Sequence, residues 1–340
     1  FSHPFVYQTI YPLIFVRLMK TVSILLLNQL NIGGLENARQ GFLVSNNYLQ
    51  MMGKSPVFNV ELVGNGEEVQ LDEGLYSIRP QRSISEIKQT DLIVIPPIQG
   101  DKIQEAIEQN VDLLPWLVEQ YQKGAEIVSL CLGAFVLGAS GLLDNRSCVT
   151  HWKAADQFRK HFPKIHLLTD KILTDEERIY TGGGAFSSAN LILYLIEKMV
   201  DRETAVYCSK HFQIDMSRNS QSPFVIFRGQ KNHGDEVVLK AQEKIEAFYQ
   251  KSMTVDKLAG ELFVSRRTLE RRFRKATGNT LTEYMQRVRL EVAKRSFESG
   301  NQPVKEVMYQ VGYSDSKSFR NLFRKHVGLS PVEYRARYAS

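Results

Sequence analysis

Short apolar runs at residues 21–27, 57–63, 91–97, 125–130 and 165–170 alternate with helical stretches at 35–52, 102–122, 133–142 and 186–199. Runs apolar at nearly every position predict strands buried on both faces, and helices between them predict a mostly parallel, doubly wound sheet. Such a sheet carries its ligand crevice at the carboxyl ends of its strands. Beyond about residue 235 the pattern turns helical throughout: 235–250, a stripe of Val255, Leu258, Ala259 and Leu262, and a long stretch at 281–299. The expected fold class is an α/β domain followed by an all-α domain.

The all-α part is duplicated. Counting fifty forward from Phe273, Arg274, Lys275, Gly278, Glu283, Tyr284 and Arg287 lands on Phe323, Arg324, Lys325, Gly328, Glu333, Tyr334 and Arg337 without a gap. The first copy reads as an amphipathic helix, with Leu269, Phe273 and Ala276 on one face and Arg267, Arg271 and Arg274 on another. Ser265 is placed to cap its start and Gly278 to end it in the left-handed conformation. In the second copy Phe319, Phe323 and either His326 or Val327 point inward, Lys317, Arg320 and Arg324 outward, and Gly328 is the stop. Each copy enters its next helix through a capping box, Thr280 with Glu283 and Ser330 with Glu333, the second carrying Pro331. With a short helix starting at Thr254 in one copy and at Pro303 in the other, each becomes a helix-turn-helix, at about 254–278 and 303–328.

Charge separates the two parts. Residues 231–340 hold 22 Lys and Arg against 13 Asp and Glu, a net +9, whereas residues 1–230 hold 21 against 24, a net −3. The basic part is the one suited to a polyanion. Cys131, Cys148 and Cys208 form no CxxC pair and no disulfide framework, which fits a reducing, cytoplasmic setting. Residues 1–18 start without Met and are interrupted by Gln8, Pro12 and Arg17. They lack the roughly 20 unbroken apolar residues of a membrane span and read as an extension upstream of Met19.

Candidate chemistry in the α/β part centres on SLCLGAF, where Cys131 lies between a strand and a helix opening at Gly133. Such a turn sets a side chain beside free backbone N–H groups and the positive end of a helix, which lowers a thiol's pKa. A small buried residue filling the turn is the alternative. His151 with Trp152 either lines the same crevice or packs. GGGAF, residues 182–186, follows a strand and opens a helix, so its amides either bind an anion or make a tight turn. Cys148 and His151 lack a second pair, and no metal is expected.

The pattern EVMYQVGYSDSKSFRNLFRKHVGLSPVEYRARY resembles the signature of the AraC/XylS-type DNA-binding domain, and residues 245–340 are similar to that domain throughout. SLCLGAFVLGASGLLDNRSCVTHW resembles the PfpI-like, class I glutamine amidotransferase-like domains that occur fused to it, and residues 19–229 are similar to that flavodoxin-like fold, with 230–244 as linker and start of a helix. The resemblance implies base contacts from Arg267, Glu270 and Arg271 in the first unit and from Lys317, Arg320 and Asn321 in the second. Arg can address guanine, Glu cytosine and Asn adenine. Arg266, Arg274, Lys275 and Lys325 are better suited to phosphates, and Ser316 and Arg324 complete the DNA-facing set. Two such helices would enter major-groove segments about 34 Å apart. Related enzymes place His after the nucleophilic Cys, where this chain has Leu132, and the acidic partner is reduced to Glu36, further along. Together these imply a non-enzymatic transcription regulator with no cofactor, whose partners are double-stranded DNA and a small effector, amino-acid-like or otherwise nitrogen-containing, and which forms a homodimer through the α/β domain. The expected effector pocket is Cys131, Leu132, His151, Gly182 and Gly183, with Cys131 and His151 as the only catalytic candidates. A Cys131-dependent amidase or hydratase tethered to DNA is the rival.

Overall fold

A computed structural model describes residues 19–184, 187–217, 220–231, 233–300 and 302–339. The upstream extension at 1–18 and Ala185–Phe186 of the glycine-rich turn lie outside the described residues. The chain divides into two compact units. One comprises the chain up to Leu142 with Asp175–Thr181 and Ala185–Met216, and the other comprises Leu143–Thr174, Gly182–Gly184 and Ser217–Ser340.

The strands are β1 (Lys20–Leu25), β2 (Phe58–Gly64), β3 (Val69–Leu71), β4 (Tyr76–Ile78), β5 (Arg82–Ser83), β6 (Leu92–Ile95), β7 (Glu126–Leu130), β8 (Ser147–Cys148), β9 (His166–Leu167), β10 (Leu173–Glu176) and β11 (Ile179–Gly182). Among the described residues seven of them form one sheet in the order β10-β11-β7-β6-β1-β2-β5. The pairs β1·β2, β1·β6, β6·β7 and β2·β5 are parallel, with Val22 opposite both Val60 and Leu92. β6 is buried at all four positions and β7 at all but its first, as their unbroken apolar runs require. The run at 165–170 is an exception. It supplies only β9, which pairs with β8 in a separate two-stranded sheet, and the main sheet is extended instead by β10 and β11.

The helices of this part are α1 (Ile32–Met51), α2 (Ile103–Gln109), α3 (Leu114–Gln122), α4 (Ala134–Ala139), α5 (Ala155–His161), α6 (Ser188–Met199) and α7 (Arg202–Phe212). The stretch at 102–122 is two helices, because Pro115 lacks the N–H a continuing turn needs and instead occupies the start of α3. Among the described residues no helix is long and apolar enough to cross a membrane.

The remaining helices are α8 (Glu236–Ala247), α9 (Val255–Glu261), α10 (Arg266–Thr277), α11 (Leu281–Glu298), α12 (Val304–Gln310), α13 (Ser316–Val327) and α14 (Pro331–Tyr338). They enclose two hydrophobic cores. Val238, Ile245, Leu258, Leu269, Phe273 and Tyr284 build the first, and Phe297, Val307, Met308, Phe319, Phe323 and Tyr334 the second. α11, about 27 Å long at 1.5 Å per residue, gives its first half to one core and its second half to the other. Buried Tyr284 donates its hydroxyl to Glu246 at 2.8 Å, and Tyr334 in the second core makes the same bond to Glu298. The duplication thus includes the helix ahead of each helix-turn-helix.

The segment ahead of α8, just before the expected linker at 230–244, is bound to α11. Glu291 and Lys294, both buried in α11, pair at 3.0 Å. Glu291 also accepts the Phe227 N–H, Lys294 donates to the Val225 carbonyl, and the Phe227 ring packs edge-on to Tyr284.

Candidate functional site

Both recognition helices start and stop where their sequences require. Ser265 accepts the Thr268 N–H and Asp315 the Ser318 N–H at the two starts. Gly278 at φ +69° and Gly328 at φ +77° end them. Both capping boxes form, and Thr254 caps α9. The buried faces are Leu269, Phe273 and Thr277 in α10, and Phe319, Phe323 and Val327 in α13. Val327 rather than His326 faces inward, and Ala276 is only partly buried.

Arg266, Arg267, Glu270, Arg271, Arg274 and Lys275 are all exposed on α10, as are Ser316, Lys317, Arg320, Asn321, Arg324 and Lys325 on α13. The remaining arginine of α10 is different. Arg272 is partly buried and holds Asp235 with two bonds, at 2.7 and 2.9 Å, while Asp235 also accepts the Val238 N–H at the start of α8. This bidentate pair keeps the Asp235 carboxyl below its usual range, with Arg272 as the main cause. Arg266 bridges Asp256 and Glu270, each at 3.0 Å.

The turns match at a spacing of 49 residues. Phe263 donates to the Gly260 carbonyl and Val264 to Ala259, as Gly312 does to Tyr309 and Tyr313 to Met308. The left-handed position is Phe263 (φ +55°) in one turn and Gly312 (φ +84°) in the other. The second turn is one residue longer, which raises the spacing to 50 from the recognition helix onward. Between the units, Arg289 of α11 donates to the carbonyls of Tyr249 and Lys251, at 2.6 and 3.1 Å, and its guanidinium lies over the Tyr313 ring. Sequence reading had no signal for this brace, because its acceptors are backbone oxygens.

In the first unit the sheet's order reverses between β1 and β6, where the loops leaving both strands are laced together. Leu30 bridges Ile98, the Asn31 N–H donates to Pro97 O at 2.7 Å, and the Gln99 N–H donates to Gln29 O at 2.8 Å. Cys131 follows β7 with φ +54°, a left-handed conformation uncommon for a residue with a side chain. The strand-to-helix turn is present, and of the two expectations for Cys131 its surroundings agree with the small buried residue filling the turn rather than with a thiol of lowered pKa. Cys131 is 5% exposed, and burial pushes its thiol up to about 12 despite the Leu132 backbone hydrogen bond. Only a short 3-10 turn and the six-residue α4 follow it, a weak dipole against full desolvation. Glu36 is bonded to Arg39 at 2.7 and 2.8 Å and to Gln40 at 2.7 Å.

His151, Gly182 and Gly183 belong to the second unit. His151 caps the turn Trp152–Ala154, its Nδ1 accepting the Lys153 N–H at 3.1 Å, and burial together with Lys153 depresses its pKa. Gly182 ends β11. The Gly183 N–H donates to Ile172 O at 2.8 Å, so this amide is not open to an anion. A Cβ there would lie 2.9 Å from both the Gln221 amide and Val149, which explains the glycine by close packing. Among the described residues no group of three or more His, Cys, Asp or Glu is placed to hold a metal.

Residues 48–198 match the DJ-1/PfpI family and residues 258–337 match the Helix-turn-helix domain family. The HTH-type transcriptional regulator GbdR of Pseudomonas aeruginosa is 24% identical over 317 residues, covering 93% of this chain and 84% of that protein. The HTH-type transcriptional regulator GlxA of Rhizobium meliloti is 27% identical over 220 residues, 64% of this chain and 67% of that protein. A Vibrio parahaemolyticus protein of known crystal structure shares the fold with TM-score 0.51 and 20% identity, over 57% of this chain and 98% of its own. This chain belongs to the AraC-type transcription regulators that carry a DJ-1/PfpI domain ahead of a DNA-binding helix-turn-helix domain.

Proposed function

We propose that the protein binds a specific duplex site through α10 and α13 together, with Arg267, Glu270 and Arg271 reading one half and Lys317, Arg320 and Asn321 the other. The observation that carries this reading is the pairing of two equivalent helices, each capped, each seated on its own core, and each exposing its polar face. Arg266, Arg274, Lys275, Ser316, Arg324 and Lys325 fix register on phosphates. Arg266 and Glu270 exchange their mutual surface pair for DNA at little cost, because exposed pairs contribute at most about 1 kcal/mol. Footprinting on the chain's own upstream region, with competitor DNA at physiological salt, tests it. Arg267→Ala is expected to relax base preference in one half-site by about 1–3 kcal/mol. Uniform weakening on all sequences would remove Arg267 from the reading set.

The α/β domain on this reading takes an amino-acid-like effector at the carboxyl ends of its strands, with Cys131 and Leu132 as wall residues, and dimerises in the cytoplasm. Effector binding alters DNA binding by preferring one of two arrangements of the DNA-binding units. A thiol held at about 12 is un-ionised at neutral pH, which supports a wall residue over a nucleophile. Cys131→Ser is therefore expected to leave the transcriptional response intact. Loss of the response with the fold retained would revive the amidase or hydratase.

A further inference from the structure

The second unit contains a cavity of about 310 Å³, walled by α5, the segment 225–230, α11 and the end of α13. Five Lys or Arg side chains line it against two Asp. Among its lining residues is Arg287, half-buried on α11, with its guanidinium over the Phe227 ring at 4.6 Å and one N–H donated to Asn279 Oδ1 at 3.0 Å. These two contacts fix the plane of the fork and leave most of its five donors without a protein acceptor. Among the described residues no carboxylate lies within 4 Å of it. Two acids reach it by charge: Asp156, which is paired with Arg159 at 3.3 Å, and Glu283, which accepts the Thr280 N–H and hydroxyl in its capping box. Burial lowers the Arg287 pKa, and the neighbouring His326 is likewise held below its usual range by burial, Arg287 and Lys325.

A partly desolvated cation with a fixed, unfilled fork is stabilised by a complementary anion, and guanidinium matches carboxylate and phosphate in a bidentate manner. A cavity of this size is at the lower end of small-molecule sites. We infer that this cavity binds a small oxyanion-bearing metabolite, its carboxylate or phosphate group set against Arg287 and flanked by Arg159 and Lys325. Lys325 is also a proposed phosphate contact of α13, so an anion in the cavity would compete with DNA for that side chain.

Calorimetric titration of the full chain without DNA, at ionic strength held constant with sodium chloride, separates this inference from the DNA reading. Inorganic phosphate and succinate are the two probes. Saturable single-site binding of phosphate alone identifies a phosphorylated ligand, and of succinate alone an organic acid. Arg287→Gln is expected to weaken binding at least tenfold, with Arg287→Lys intermediate. Saturable binding of neither probe, or equal affinity in a folded Arg287→Gln protein, overturns the inference. If Arg287→Gln fails to fold, the exposed pair Lys153→Gln and Arg159→Gln gives the same readout, and unchanged affinity there overturns it.

Discussion

The two recognition helices differ less in structure than in sequence. From Arg266 to Lys275 the first carries six basic residues, and from Ser316 to Lys325 the second carries four. That count makes the first the stronger phosphate binder. Yet Arg272 is fixed to Asp235, where it joins α8 to α10, and Arg266 is bridged to Asp256 and Glu270. Arg267, Arg271, Arg274 and Lys275 then stand against Lys317, Arg320, Arg324 and Lys325, four exposed cations on each helix with no ion pair among the described residues. A cation held in a bidentate, partly buried pair, as Arg272 is, is not offered to a polyanion, whereas the exposed pairs of Arg266 exchange at little cost. The larger difference is in the turns, where a 95%-exposed Phe263 holds the left-handed position that Gly312 holds in the other unit.

The largest test of this near-equivalence is in the cores. Phe273→Ala and Phe323→Ala each remove a fully buried ring and should each cost roughly 3–5 kcal/mol. Because both cores share α11, hydrogen exchange is expected to show each loss reaching the other unit through that helix. Exchange confined to one unit would make the two independent.

Next come the turns. Phe263→Gly relieves a left-handed side chain and should raise stability by about 1 kcal/mol in urea titration. Gly312→Ala should lower it by more than that, since its Cβ would lie 2.6 Å from the Gln250 carbonyl oxygen. Equal and opposite effects of the same size would mean the backbone conformation alone matters.

The smallest effect is on salt dependence. Lys275→Gln and Lys325→Gln should each reduce the slope of log affinity against log salt by about one, whereas Arg272→Gln should leave it unchanged. A fall in slope with Arg272→Gln would add that residue to the DNA-facing set.

How much of this was legible in the sequence depends on how far apart the interacting residues lie. The caps at Ser265, Thr280 and Ser330 bond within three residues, and all form as the sequence reads. Periods of 3.6 placed Leu269, Phe273, Phe319 and Phe323 inward. Failures occurred where a distant partner decides. The run at 165–170 is apolar enough for the central sheet but pairs with β8. At Gly183 the sequence left an anion site and a tight turn open, and its amide donates to Ile172 O, eleven residues back along the chain.

Cys131 shows the same division within one residue. Local sequence set the strand-to-turn geometry and its positive φ, but the packing around it raised the thiol's pKa where a helix terminus would have lowered it. The sequence by itself determined the order of elements, the duplicated helix-turn-helix and the face each recognition helix buries, because periodicity and capping act over a few residues. Only the tertiary structure decided which cations are exposed, whether the thiol ionises, and that Arg287 faces a cavity with its fork unfilled, because burial and charge pairing depend on groups far away along the chain.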